Sequence, residues 1–163
     1  MAWQLRVAGA DDLDAIMVIE SGTFGSDAWT ESAMLADLTS PHTYYLVAFR
    51  QETPDLIEGY AGLLAPVGSG EGDIQTIAVA ESARRMGLGR MLMQTLISEA
   101  RDRRATSLFL EVRADNPHAH QLYLSLGFEE IAVRPQYYQP DGVDATIMRL
   151  IIAEPRLSPA VGA

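Results

Sequence analysis

Residues 72–90, GDIQTIAVAESARRMGLGR, impose the strongest constraint on how this chain can fold. Ile74 to Val79 is a short, β-branched apolar run and reads as a strand. A polar turn follows, and Gly87-Leu88-Gly89 then opens a helix. Leu88, Met91, Leu92, Leu96 and Ala100 recur at helical spacing, so this helix should lay one apolar face on a sheet. Leu108 to Val112 reads as the next buried strand. Strand, helix and strand in this order form a right-handed crossover, with the two strands parallel. The glycines let a ligand approach the backbone with no Cβ in the way. The first amides of the helix have no partner within it and point outward. Those donors and the positive helix end suit a phosphate, and Arg84, Arg85 and Arg90 add guanidinium charge. The stretch looks built to hold a pyrophosphate.

The kind of phosphate loop can be narrowed. A Walker loop needs lysine after its glycines, and this chain has no lysine. The dinucleotide fingerprint needs a third glycine where Leu92 stands. What remains is Arg84-x-x-Gly87-x-Gly89.

The rest of the chain supplies elements for one domain. Trp3 to Val7 reads as a first strand. Asp11 or Asp12 can cap a helix to about Gly22, with Leu13, Ile16, Met17 and Glu20 at helical spacing. Thr30 can cap a second helix that Ser40-Pro41 ends. Thr43 to Phe49 and Ile57 to Ala65 read as an antiparallel pair. VGSGEGD, residues 67–73, reads as a mobile loop to which no substrate role attaches. Asn116 and Pro117 suit a helix start, and Gly127 suits its end. Phe128 to Val133 and Val143 to Ile151 are two final strands joined by RPQYYQPDG. Residues 1–152 thus form the expected domain, with a frayed Pro- and Ala-rich tail at 153–163.

Composition excludes some chemistries. With no cysteine, disulfides, thiolate metal sites and an acyl-cysteine intermediate are ruled out. His42, His118 and His120 have no recognisable metal spacing, so no metal is expected. No apolar run approaches a membrane span, and MAWQLRV lacks the regions of a signal peptide, so a cytoplasmic protein is expected. The net charge of −10 is uneven: seven of the twelve arginines lie between Arg84 and Arg113, while residues 8–48 carry seven acids and no arginine. This is either a solvated surface, or a phosphate-binding side set against a side that draws cations. Direct nucleic-acid binding is not expected of so acidic a chain.

Arg84-x-x-Gly87-x-Gly89, the downstream LEVRADNPHAHQLYLSLGF, the later Tyr137-Tyr138 and DGVDATIM together resemble the GCN5-related N-acetyltransferases, over roughly residues 3–151. They are most similar to the RimI branch, which acetylates the N-terminal amine of a small-subunit ribosomal protein. The resemblance implies an α/β fold: a mixed, mostly antiparallel seven-stranded sheet flanked by about four helices. It implies acetyl-CoA as cosubstrate, held by Ile77, Ala78, Val79, Arg84, Arg85, Met86, Gly87, Leu88, Gly89, Arg90 and Asn116. Many relatives have Gln where this chain has Arg84, which only adds positive charge.

The resemblance also gives roles to residues whose chemistry is open. Glu111 sits in an apolar strand, where a carboxylate is costly unless paired or facing a wet cleft. It is either an outward Glu, a partner of Arg113, or the general base that the family places there. Tyr123 is either a packed core residue or the general acid for the departing thiolate. Asn116 caps a helix, bonds the coenzyme arm, or does both. In the family the strand at Val79 is splayed from the one at Glu111 by a bulge, and a backbone N–H near Val79 polarises the thioester carbonyl. Trp29 either anchors its loop or lines the acceptor groove, and Tyr137 and Tyr138 either shape a hairpin tip or form the opposite wall. The expected acceptor is a basic protein N-terminus, and the expected state a monomer or weak dimer. A small amine or lysine acceptor, and a non-catalytic acetyl-CoA-sensing module, are the other functions considered.

Overall fold

The computed structural model describes residues 2–152. Seven strands form one sheet: β1 (Trp3–Val7), β2 (Thr43–Arg50), β3 (Gly59–Leu64), β4 (Glu71–Val79), β5 (Ser107–Arg113), β6 (Glu129–Tyr138) and β7 (Val143–Ile151). Their order across the sheet is β1-β2-β3-β4-β5-β7-β6. Only β4 and β5 are parallel, as the crossover between them requires. Four helices flank it: α1 (Leu13–Phe24), α2 (Glu31–Thr39), α3 (Leu88–Asp102) and α4 (Pro117–Ser125). Alternating side chains give the sheet two buried faces. Leu88, Leu92 and Leu96 of α3 pack on one with Leu108, Leu110 and Val112 of β5. Ile16 and Ile19 of α1 and Met34 of α2 cover the other, against Val47, Tyr60 and Ala78.

The caps largely follow from sequence. Thr30 Oγ1 accepts from Ala33 N–H at 3.2 Å, and Asn116 Oδ1 accepts from Ala119 N–H at 3.2 Å. Asp12 stands at the N-cap of α1 but makes no side-chain cap bond to it: its carboxylate turns back to Gly9 N–H, closing the single 3-10 turn Ala10–Asp12 that precedes the helix, and to the Arg6 guanidinium. In α3 Met93 is buried and Met91 exposed, because 93 falls nearer the centre of the face that Leu92 and Leu96 define. Glu71 to Asp73, read as loop, begin β4, and Arg134 to Tyr138, read as a linker, extend β6. Both segments are polar, and their strand character comes from the ladder partners, which sequence periodicity does not see. The tail expected at 153–163 lies outside the described residues.

The parallel pairing stops almost as soon as it starts. Partners on β4 and β5 are Glu71 with Ser107, Gly72 with Leu108 and Asp73 with Phe109, and none beyond. On β4 the cause is a bulge. Gly62 faces Thr76 while Leu63 faces Ile74, so Gln75 is an extra residue. Tyr45 holds it there, its hydroxyl bonded to Gln75 Oε1 at 2.7 Å. The Tyr45 ring lies over Gly62, where any Cβ would come within 2.2 Å of it. On β5 the other edge stays with β7 all the way to Arg113. The sheet therefore forks beyond Asp73.

Candidate active site

The fork exposes backbone. Ala80 N–H donates to Glu58 O, on the β3 side. Strand alternation then turns the N–H and C=O groups of Ile77 and Val79 away from β3, into the gap. On β5, Ala114 N–H bonds to Asp144 O, so the backbone groups of Glu111 and Arg113 face the gap from the other side. An extended ligand arm could pair with either edge. The side chains of Ile77 and Val79 pack toward α3, and Ala78 is buried on the opposite face.

At one end of the gap lies the glycine turn. Gly87 has φ +76°, a left-handed conformation that favours glycine, and is followed at once by α3. Among the described residues, no carbonyl or side chain accepts from the amides of residues 85–90. Arg84, Arg85, Met86 and Arg90 are exposed, Leu88 is buried beneath them, and a Cβ on Gly89 would meet Leu122 at an ordinary 3.5 Å. Arg84 Nε donates to Val79 O at 3.1 Å, and Arg90 reaches Ser125 Oγ of α4 at 2.6 Å. Six unpaired amides beside exposed guanidinium groups fit a pyrophosphate. The turn is braced from behind by a group the sequence reading missed. Buried Glu58 accepts from Ser82 Oγ at 3.2 Å and sits 3.0 Å from Arg50 Nε.

At the other end an open cleft of about 800 Å³ is lined by Asp27, Trp29, Asp73, Glu111, Arg134, Tyr137 and Tyr138. The structure thus brings Glu111, Trp29 and both tyrosines together. The Trp29 side chain is 39% exposed at the cleft, while its backbone N–H anchors the loop to Glu20. Glu111 does not pair with Arg113. It faces the cleft and meets Arg134 Nη1 at 3.3 Å. The negative charge of Glu111 is the main cause of a raised phenol pKa at Tyr137; Tyr138 is pushed up to about 12, first by burial and then by Glu111. Asp73, from the loop given no role, lines the same cleft. Its pKa is raised by burial and by the charges of Glu71 and Glu111.

Tyr123 stands apart. It is 6% exposed, packs edge-on to Phe128 with ring centroids 6.1 Å apart, and does not line the cleft. Burial pushes its phenol up to about 12, with a smaller contribution from nearby Tyr138. Asn116 is exposed and serves as the cap of α4.

Glu20, expected only as part of the stripe of α1, has a polar role that sequence reading did not assign. It is 1% exposed beneath the cleft. Its Oε2 accepts from Trp29 N–H at 3.0 Å, and its Oε1 accepts from the Thr76 hydroxyl at 3.0 Å and from the Tyr60 hydroxyl. Three donors satisfy a carboxylate that would otherwise be costly to bury, and they tie the Trp29 loop to the bulged strand. The available signal was an acid on the apolar stripe of α1, four residues after Ile16.

The sequence model of the acetyltransferase (GNAT) family matches residues 13–128. The N-alpha-acetyltransferase RimI of Mycobacterium tuberculosis is 36% identical over 133 residues, covering 80% of each chain. An uncharacterized protein of Mycobacterium leprae is 38% identical over 141 residues, which are 85% of this chain but only 38% of that protein. Among solved structures, the ribosomal-protein-S18-alanine N-acetyltransferase from Escherichia coli has a TM-score of 0.82 at 31% identity, covering 94% of this chain and 96% of that one.

Proposed function

This chain belongs to the acetyltransferase (GNAT) family, and on that premise we propose that it transfers an acetyl group from acetyl-CoA to the N-terminal α-amine of a protein. The acceptor we assign is a small-subunit ribosomal protein, in line with the name of the E. coli relative; the name of the M. tuberculosis relative supports an N-terminal α-amine. Its place of action is then the cytoplasm; among the described residues no helix is long and apolar enough to cross a membrane. The observation that carries the reading is the fork, whose unpaired strand edges run from the row of free amides to the carboxylate of Glu111.

Each residue then has a task. The amides of residues 85–90, with Arg84, Arg85 and Arg90, hold the pyrophosphate of the coenzyme. Acetyl-CoA, when bound, supplies the activated thioester. The inward N–H groups of Ile77 and Val79 pair with the pantetheine arm and donate to the thioester carbonyl. An α-amine has a pKa of roughly 7.7–8.0, so much of it arrives as ammonium with no lone pair to attack. Glu111 accepts its proton, and the incoming cation takes the position of Arg134. The Tyr123 phenol, still protonated at neutral pH, donates to the departing thiolate. Asn116 bonds the coenzyme arm as well as capping its helix. Trp29, Tyr137 and Tyr138 line the acceptor groove, and its acids favour a basic N-terminus. Holding both reactants side by side supplies much of the acceleration.

The test is incubation with acetyl-CoA and a peptide library varied at its first residues, read by mass spectrometry. Acetyl on N-terminal amines is expected. Acetyl confined to lysine side chains or small amines would put the enzyme in another branch. Coenzyme binding without transfer to any acceptor would make the protein a sensing module.

A further inference from the structure

Arg113 stands two residues beyond Glu111 on the same face of β5, and it joins three segments far apart in sequence. Its Nε and Nη2 donate to the two oxygens of Asp115 at 3.0 and 3.1 Å. Nη2 also reaches Asp141 at 3.1 Å, and Nη1 donates to Asp27. The guanidinium carbon lies 5.0 Å from the centre of the Tyr138 ring. Asp27 belongs to the loop that carries Trp29. Tyr138 ends β6, and Asp141 lies in the turn that leads on to β7. These are the two walls of the cleft. Among the described residues no other hydrogen bond or ion pair joins them. The side chain of Arg113 is 23% exposed, so solvent only partly screens it.

We propose that Arg113 is a specificity-determining residue: a single guanidinium fixes the separation of the two cleft walls, and so which first residues of an acceptor chain fit between them. This rests on the acceptor groove assigned above. The chemistry favours arginine over lysine at this point. A guanidinium presents five donors in a rigid fork, so it can bond several carboxylates at fixed angles; an ammonium supplies the charge without the fork. Loss of Arg113 also leaves Asp27, Asp115 and Asp141 without their shared cation, and their mutual repulsion pushes the walls apart. A wider groove binds every acceptor less well but rejects bulky first residues less strongly. A residue that only supports the fold would instead reduce turnover of all acceptors by one common factor.

The test measures kcat and KM on peptides that differ only at the first residue, from Gly and Ala through Val to Leu and Phe. The enzymes are wild type, Arg113→Lys, Arg113→Ala and Asp27→Asn, with Trp29→Ala as a control for the groove itself. The spread of kcat/KM between the best and worst first residue is expected to shrink by roughly fivefold or more in Arg113→Lys and Asp27→Asn. Acceptor KM rises, while the KM for acetyl-CoA stays within about twofold. If Arg113→Ala fails to fold, Asp27→Asn and Arg113→Lys still read the wall-to-wall tie. A uniform loss that keeps the wild-type ranking overturns the proposal, as does an unchanged ranking with unchanged KM. If Trp29→Ala also leaves KM and ranking untouched, the groove is wrong and the clamp falls with it. If wild type acetylates none of the peptides, the proposed function itself fails.

Discussion

Glu111 shares its cleft with Asp27, Asp73 and Arg134, so the base we assign works among both signs of charge. Glu111→Gln should keep the shape and remove the proton acceptor. We expect kcat/KM to fall by about 10²–10⁴ at neutral pH with acetyl-CoA affinity unchanged, checked by steady-state kinetics and equilibrium binding. The deficit should narrow above pH ~8.5, where the amine sheds its own proton. Tyr123 predicts the opposite profile. Its phenol, pushed up to about 12 by burial, stays protonated across any practical assay range, so the deficit of Tyr123→Phe should not vary between about pH 6 and pH 10. Glu111 was legible because a carboxylate inside LFLEV is anomalous by itself. Asp73, Arg134 and Glu20 were not: nothing local to them marks a role, and their partners arrive from other strands and helices. Tyr123 was legible in both of its readings, and the structure brings out the packed one.

At the scale of elements, local pattern was a good guide to α3, α4 and β5, where periodicity and caps lie within a dozen residues. It was a poor guide to the fork. The bulge at Gln75 depends on Tyr45 and Gly62, which lie on two other strands. Gly62→Ala tests that dependence. The added methyl would force the buried Tyr45 ring off its position and break its bond to Gln75. We expect a loss of about 1–3 kcal/mol in denaturant unfolding, as for an overpacked core, together with a higher KM for acetyl-CoA. Normal stability with normal coenzyme binding would mean that the bulge forms without the ring. The lengths of β4 and β6 were misread for a related reason: Glu71, Asp73 and Arg134 are polar residues held in strands by their neighbours.

For the molecule as a whole, the division of charge along the sequence was readable, but its meaning required the fold. The fold gathers Asp27, Asp73 and Glu111 from three separate segments around one cleft, within a chain of net charge −10. Such a field steers basic acceptors and weakens with salt. Raising ionic strength from about 0.05 to about 0.3 M should lower kcat/KM several-fold for a basic peptide and barely change it for a neutral one, chiefly through KM. Equal salt dependence for both would leave the acidic surface with a solubilising role only. The fork has one more consequence. Every strand before Arg104 lies to one side of it and every strand after lies to the other, and only the stub from Glu71 to Asp73 stitches the ladders together. The strand ladder is in effect two consecutive halves sharing a short seam, already bridged on one face by α3 and its core, and a coenzyme laid in the open part of that seam would add a second bridge.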